Sequence, residues 1–307
     1  VALKICRSLM IFPVNVDRFV AKAHLRGADA LVLDLEDSVP AAEKDRARRL
    51  VKEALPLVGR GGGEALVRVN NDPALLQADL EASIWPGLDG IMFPMAESGA
   101  QVAGLTAAVE ALELSRGLEA GRIRFCLLIE TPLGLLNARE IAQASPRIES
   151  LGPGVDDYCL KIGVEPSVEG EEILPLLYTV LTVSKALGIR PLGVVGSIAG
   201  FKDAAVFERS AERARQMGFE GSQCIHPEQV RILNRVFSPD PARVAQARRV
   251  VEAFEAGLER GVASVSLDGR MVDVPVYTRA KMIFERAEAV AALEARKAAA
   301  LARLNQD

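Results

Sequence analysis

Short runs of apolar, often β-branched residues alternate along the chain with longer segments whose apolar positions recur at helical spacing. Eight runs read as strands: Ile5–Phe12, Ala30–Leu35, Ala65–Asn70, Gly90–Pro94, Ile123–Glu130, Ile148–Leu151, Leu192–Gly196 and Ser222–His226. Between them lie stretches such as VDRFVAKAHLRG, PAAEKDRARRLVKEAL and FKDAAVFERSAERARQMG. Several segments close on glycine (Gly27, Gly188, Gly218), which accepts the left-handed conformation that ends many helices. Strand runs without polar alternation indicate a sheet covered on both faces, as βα repeats produce. Eight such units predict an α/β fold, a closed (β/α)₈ TIM barrel, over residues 1–236; such a barrel uses about 250 residues. A doubly wound sheet alternates in the same way, but no G-x-G-x-x-G follows the first run.

After residue 237 the pattern changes. PDPARVAQARRVVEAFEAGLERG predicts an amphipathic helix opened by Pro239–Pro241 and closed by Gly261. SVSLDGRMVDVP predicts a short hairpin or loop turning at Asp268-Gly269, and the Ala-rich tail a long helix of mixed charge. Residues 237–307 are therefore expected to form a C-terminal helical extension or lid, packed on the barrel or on a neighbouring subunit.

Chemistry in such a barrel gathers at the C-terminal ends of the strands, where the βα loops converge. The last residues of the predicted strands are Asp34, Glu36 and Asp37; Arg68 and Asn70; Glu97 just beyond Pro94; Glu130; Asp156 and Asp157; and His226. Glu130 and Asp157 end strands five and six, and two neighbouring carboxylates are the minimum for holding Mg²⁺, which completes its octahedron with waters and substrate oxygens. The competing reading makes Glu130 a buried ion-pair partner and Asp157 a helix cap. Arg68 is placed to bind a substrate carboxylate or stabilise enolate charge, or else to pair with Asp34 or Glu36; the two roles are compatible. Strand alternation sends Asp34 and Glu36 to one side, where with Asp37 they could orient Arg68 and waters on the metal. Asp37 and Ser38 could equally cap the helix that begins near Pro40. His226, ahead of Pro227, reads more as a structural hydrogen-bonding group than as a base, and His24 as an ordinary helix residue.

Composition removes other classes. A net charge of −4, one Trp and three Tyr give no electrostatic or stacking basis for nucleic-acid binding or for an anionic membrane surface. The four cysteines (Cys6, Cys126, Cys159, Cys224) lack any C-x-x-C spacing, and two histidines cannot build a His-rich metal site. No apolar run approaches the length of a membrane span, and the first residues lack a signal-peptide pattern, so a cytoplasmic protein is expected.

RSLMIFP, ADALVLDLEDSV, VRVN, GIMFPMAES, LIETPLGLLNAREIA, GVDDYCLKIG, GFEGSQCIHPEQVRILNRVFSP and DGRMVDVP run in that order almost end to end. In this the chain resembles the citrate lyase β-subunit-like proteins and the malyl-CoA, β-methylmalyl-CoA and citramalyl-CoA lyases of the HpcH/HpaI-type aldolase superfamily. The resemblance implies Mg²⁺ (or Mn²⁺) held by Glu130 and Asp157, with Arg68 on the substrate carboxylate or acyl oxygen. It implies Asp273 as an acid/base supplied by a neighbouring subunit, within a homotrimer or homohexamer. Arg7, Pro13, Asn70 and Asp156 complete the set as candidate contacts to substrate or cofactor. The implied reaction is reversible Claisen or aldol cleavage of a 3-hydroxyacyl-CoA.

Several positions depart from the family pattern. Val14 stands for a glycine, Met95 and Ser222 for lysines, Val180 for an arginine, and Leu192-Gly193 for an aspartate. Because the lysines would anchor a CoA phosphate or orient a thioester, a metal-dependent aldolase acting on free 2-keto or hydroxy acids is the rival reading. A non-catalytic protein that keeps the fold is the third, against which the retention of Arg68, Glu130, Asp157 and Asp273 argues.

Overall fold

The computed structural model describes residues 4–304 and 306. Eight strands form one parallel sheet: β1 Ser8–Pro13, β2 Ala30–Asp34, β3 Glu64–Arg68, β4 Gly90–Phe93, β5 Arg124–Ile129, β6 Ile148–Pro153, β7 Arg190–Pro191 and β8 Ser222–Cys224. The order β7-β6-β5-β4-β3-β2-β1-β8 curls the sheet until its two edges meet through the Leu192–Gly221 bridge. The helices are α1 Asp17–Val20, α2 Lys44–Gly59, α3 Pro73–Ser83, α4 Gly99–Ser115, α5 Pro132–Leu136, α6 Ala138–Gln143 and α7 Val155–Ile162. They continue with α8 Leu174–Leu187, α9 Ala204–Met217, α10 Pro227–Val236, α11 Pro241–Glu259 and α12 Val274–Leu304. This is the expected α/β TIM-barrel fold with a C-terminal helix.

Seven strands fall where the apolar runs place them; β7 does not. The run Leu192–Gly196 looks like a strand, yet the paired residues are Arg190 and Pro191, followed by the single bridge. Val194 and Val195 are buried in the outer core, but pairing stops at Gly193, which lies so close to Pro153 that a Cβ there would approach its ring to 2.8 Å. Apolar character reported burial correctly here but not backbone pairing, which ends after the Leu192–Gly221 bridge.

Alternation along the strands divides the core. Leu9, Ile11, Val32, Leu66, Met92, Cys126 and Leu128 fill the barrel interior, while Leu33, Val67, Ile91, Phe93 and Leu127 face the helices. The interior is thus an apolar plug, and the next inward residue up each strand meets the C-terminal rim. All four cysteines are buried and free.

A second, smaller cluster (Ala247, Val250, Phe254, Val272, Ala280) joins α11, α12 and the hairpin β9 Val265–Leu267, β10 Arg270–Val272. From Arg286 onward α12 packs on the N-terminal face of the barrel. There Lys297 donates to Asp29 at 2.8 Å and to Gly27 O at 3.0 Å, Arg286 donates to Glu220 O and Phe237 O, and Glu294 accepts from Arg7. Among the described residues no helix is long and apolar enough to cross a membrane.

Candidate active site

The register aligns the rim: Pro13 pairs with Asp34, Asp34 with Arg68, and Arg68 with Met92. Asp34 continues the inward row of Val32, Arg68 that of Leu66, and Glu130 that of Leu128, so all three stand on top of the plug.

Asp34 is fully buried and takes the Arg68 fork in both oxygens: Nε to Oδ1 and Nη2 to Oδ2, each 2.7 Å. It also accepts from the Glu36 and Ser38 amides and the Ser38 hydroxyl, so it organises the LDLEDS turn as well as the arginine. Burial works against its charge, but the Arg68 contacts outweigh that and hold the carboxyl below its usual range. The remaining Arg68 nitrogen, Nη1, lies 2.9 Å from Glu36 and 3.6 Å from the exposed Asp37. The ion-pair reading of Arg68 is therefore the geometry observed, and Nη1, paired with Glu36, is the one terminal nitrogen not committed to Asp34. Ser38 is tied to Asp34 and does not cap a helix; the turn after Pro40 carries no side-chain cap.

Glu130 is buried on the adjacent wall. Its Oε2 accepts the Met95 amide at 2.7 Å, and its other oxygen lies over Gly154, where any Cβ would collide with the carboxylate, so only glycine fits beneath it. Among the described residues no cation pairs with it. Burial first, and then the neighbouring Asp157 charge against a partial relief from the Met95 amide, push its pKa up to about 8. Asp157 sits in the first turn of α7, whose N-cap is Gly154, and its side chain makes no capping bond. Burial and Asp37 raise its pKa too. Glu36 is pushed up to about 7, mainly by burial, with Arg68 opposing and Asp37 adding. Neither alternative role, ion-pair partner for Glu130 or cap for Asp157, is seen. What remains is an acidic rim in which burial and mutual repulsion raise the carboxyl pKa values of Glu36, Glu130 and Asp157.

The other candidates separate. Arg7 is the clearest correction: it precedes β1 at the opposite end of the barrel, bonded through Nη2 and Nε to Asp29 at 2.7 and 2.8 Å and through Nη1 to Ser238 at 2.9 Å. It anchors α12 and cannot touch a ligand at the rim. Asn70 is buried and spent on its neighbours, with Nδ2 to Leu35 O and Asp79 and Oδ1 accepting from Lys44. Pro13 faces the rim at the top of β1, and Asp156 is exposed beside Asp157. Glu97 ties two loops together through Thr131 and Asn137. His226 N-caps α10 by accepting the Glu228 amide and stacks on Phe201, a structural role; His24 lies in a 3₁₀ turn against Arg60 rather than in an α-helix. Asp273 accepts the Val276 amide at the start of α12, and no described hydrogen bond or ion pair joins it to Arg68, Glu130 or Asp157.

Three contributors escaped the sequence reading. Lys44 reaches from α2 to Leu35 O, Glu36 O and Asn70, fixing the loop that carries Glu36. Asp79, fully buried in α3, receives the Asn70 amide and Arg48. Met95 offers Glu130 its backbone amide from a left-handed conformation, φ 49°. An Asp in the middle of an apolar helical face was a visible signal for Asp79; a backbone donor on a methionine leaves none.

Residues 7–227 match the family model described as HpcH/HpaI aldolase/citrate lyase. The chain belongs to this family. It is 37% identical to the citrate lyase subunit beta of Escherichia coli K12, over 92% of this chain and 93% of that one. It is 34% identical to a (3S)-malyl-CoA thioesterase of Cereibacter sphaeroides, over 94% and 97%. Among solved structures it is similar to the protein CitE of Mycobacterium tuberculosis in complex with magnesium, acetoacetate and coenzyme A, at a TM-score of 0.70 and 27% identity, over 92% of this chain and 97% of that one.

Proposed function

We propose that this chain is a Mg²⁺-dependent lyase that cleaves a 3-hydroxyacyl-CoA, such as malyl-CoA or citramalyl-CoA, by a reversible Claisen or aldol reaction. Membership of the family makes it a carbon–carbon lyase in class. The observation that carries the metal assignment is Glu130, a buried carboxylate with no cation partner, facing the same rim as Asp157. Among the described residues no three metal-ligating side chains converge, so an ion held by Glu130 and Asp157 would need waters and substrate oxygens to complete its shell. Magnesium in the related CitE complex supports the same choice, and Mn²⁺ is the natural substitute.

Once bound, the ion supplies a Lewis acid that polarises a substrate carbonyl and favours enolate charge. The Arg68 guanidinium, fixed on Asp34, offers Nη1 to a substrate carboxylate or acyl oxygen and carries its positive charge toward the developing enolate. Nη1 is paired with Glu36 at 2.9 Å, and a substrate oxygen would take the place of that contact. The proton donor or acceptor is Asp273 of a second copy, since within one chain it caps α12 away from this cluster; a homotrimer or homohexamer would supply it. Asp273→Ala is accordingly expected to lower kcat at least about 100-fold with unchanged Mn²⁺ affinity. Mixing it with a Glu130 variant should then restore part of the activity through mixed assemblies, and a wild-type kcat would make the segment purely structural.

One observation favours a second reading. Met95, where the family pattern the chain resembles implies a lysine, bonds Glu130 through its backbone amide at the rim, so the CoA anchor which that pattern implies is absent there. A metal-dependent aldolase acting on free 2-keto or hydroxy acids needs no such anchor. The deciding experiment is Mg²⁺-dependent turnover of malyl-CoA and citramalyl-CoA, with mass spectrometry for glyoxylate, pyruvate and short acyl-CoA. Cleavage products establish the thioester lyase. Malate and free CoA would mean hydrolysis, and no turnover with metal still bound would favour the free acids.

A further inference from the structure

We propose that Asn71 is a positioning residue that locks the Met95 peptide in its left-handed conformation and so aims the Met95 amide at Glu130. The inference rests on the reading of Glu130 as a metal ligand and adds a residue outside the candidate set. Asn71 Nδ2 donates to Met95 O at 2.6 Å, and Met95 N donates to Glu130 Oε2 at 2.7 Å. The acceptor is a carbonyl, so only the nitrogen end of the Asn71 amide fits there. The two bonds grip both ends of one residue, and that residue is in a conformation L-amino acids avoid, φ 49°.

The consequence for Glu130 follows from its surroundings. It is buried, and the Met95 amide is its one described hydrogen-bond donor. On the other side Gly154 leaves just enough room for the carboxylate to lie flat on the backbone. Donor and floor together fix the plane of the carboxylate and leave Oε1 unengaged. If the Met95 backbone relaxes to an ordinary conformation, its N–H turns away and Glu130 loses its orientation. Chain geometry fixes which side chain does the holding: β3 ends at Arg68, Asn70 is consumed by Asp79 and Lys44, and Asn71 is the next residue, reaching across to the β4 loop.

Glycine separates this role from a general structural one. It enters the left-handed region without steric penalty, so a chain carrying Met95→Gly depends less on the Asn71 clamp, with the Ala96 amide still tied to Leu128 O. Mn²⁺ binding to the metal-free protein, measured by titration calorimetry and by electron paramagnetic resonance of free Mn²⁺, is the readout. Asn71→Ala is expected to weaken Mn²⁺ binding about 5- to 10-fold, the cost of releasing one such residue. The same change made on top of Met95→Gly should weaken it by less than about 2-fold, a coupling a general structural role for Asn71 would not produce. Thermal melting of each variant checks that the barrel stays folded, and Glu130→Gln serves as the control that abolishes binding. Unchanged affinity in Asn71→Ala, or an equal loss whether or not Met95→Gly is present, overturns the proposal while leaving Glu130 as a ligand. If the unaltered protein takes up no Mn²⁺, the metal reading fails and the inference with it.

Discussion

Glu130→Gln is expected to lower Mg²⁺-dependent turnover by about 10³-fold or more and to leave the metal-free protein at least as stable as its parent. Loss of a ligand explains the first half; the second follows from where the carboxyl sits. Burial raises Glu130 to about 8, so the folded, metal-free chain holds a proton that the unfolded chain releases near 4.5. A group that binds protons more tightly in the native state stabilises it at low pH, and that contribution fades as pH rises from about 4.5 to about 8. Glu36, raised to about 7, acts in the same direction over the lower part of that window. The metal-free parent should therefore lose stability between those limits, and glutamine, which never ionises, should flatten the decline. Mg²⁺ works against it: an ion at 100 times its Kd adds about 2.7 kcal/mol to the native state. Urea unfolding at pH 5, 6, 7 and 8, with and without Mg²⁺, tests all of this. Mg²⁺ should raise the midpoint of the parent above pH 7 and leave that of the glutamine variant unmoved. A variant that still responds to Mg²⁺, or that turns over normally, would remove Glu130 from the site.

What the sequence could and could not disclose divides along physical lines. Barrel class was legible because eight short, continuously apolar runs, as strands buried on both faces require, alternate with segments whose apolar positions recur at helical spacing. The rim was legible because polar residues end otherwise apolar strands, which is how Asp34, Arg68 and Glu130 were found together. Arg7 entered as a candidate with the family resemblance and not by the strand-end rule, and its place ahead of β1 puts it on the N-terminal face with Asp29. Ser222 is a related case. It pairs with Ser8, whose hydroxyl bonds Asn234 of α10, so the position lies low on β8 and buried, and a missing lysine there bears little on the rim. Met95 is the departure that does reach the site. Backbone contributions, the Met95 amide and the floor made by Gly154, were invisible because they depend on φ and on close approach rather than on side-chain type.

The second large effect is expected at Arg68, where structural and chemical roles overlap and have to be pulled apart. Arg68→Ala leaves Asp34 fully buried without its partner, a loss of about 3–5 kcal/mol by urea unfolding, and turnover should vanish with it. That result alone would not show chemistry. Replacing both partners, Asp34→Asn with Arg68→Met, removes the buried charges together while the asparagine keeps a carbonyl acceptor for the amides of the turn, so no buried charge is left unpaired. The double variant is therefore expected to regain most of the lost stability and none of the activity. Arg68→Lys completes the set: a lysine keeps the charge but not the two-nitrogen fork that engages both Asp34 oxygens while presenting Nη1, so kcat/KM should fall about 100-fold with a smaller stability loss than alanine. The pH dependence gives a further handle. Asp34 is held below its usual 3.8, so the pair contributes fully above that value and its contribution is lost as pH falls beneath it. That acid limb should be present in the parent and absent from the double variant. Recovery of turnover along with stability in the double variant would make the pair a scaffold only. Recovery of stability alone assigns Nη1 of Arg68 to the substrate.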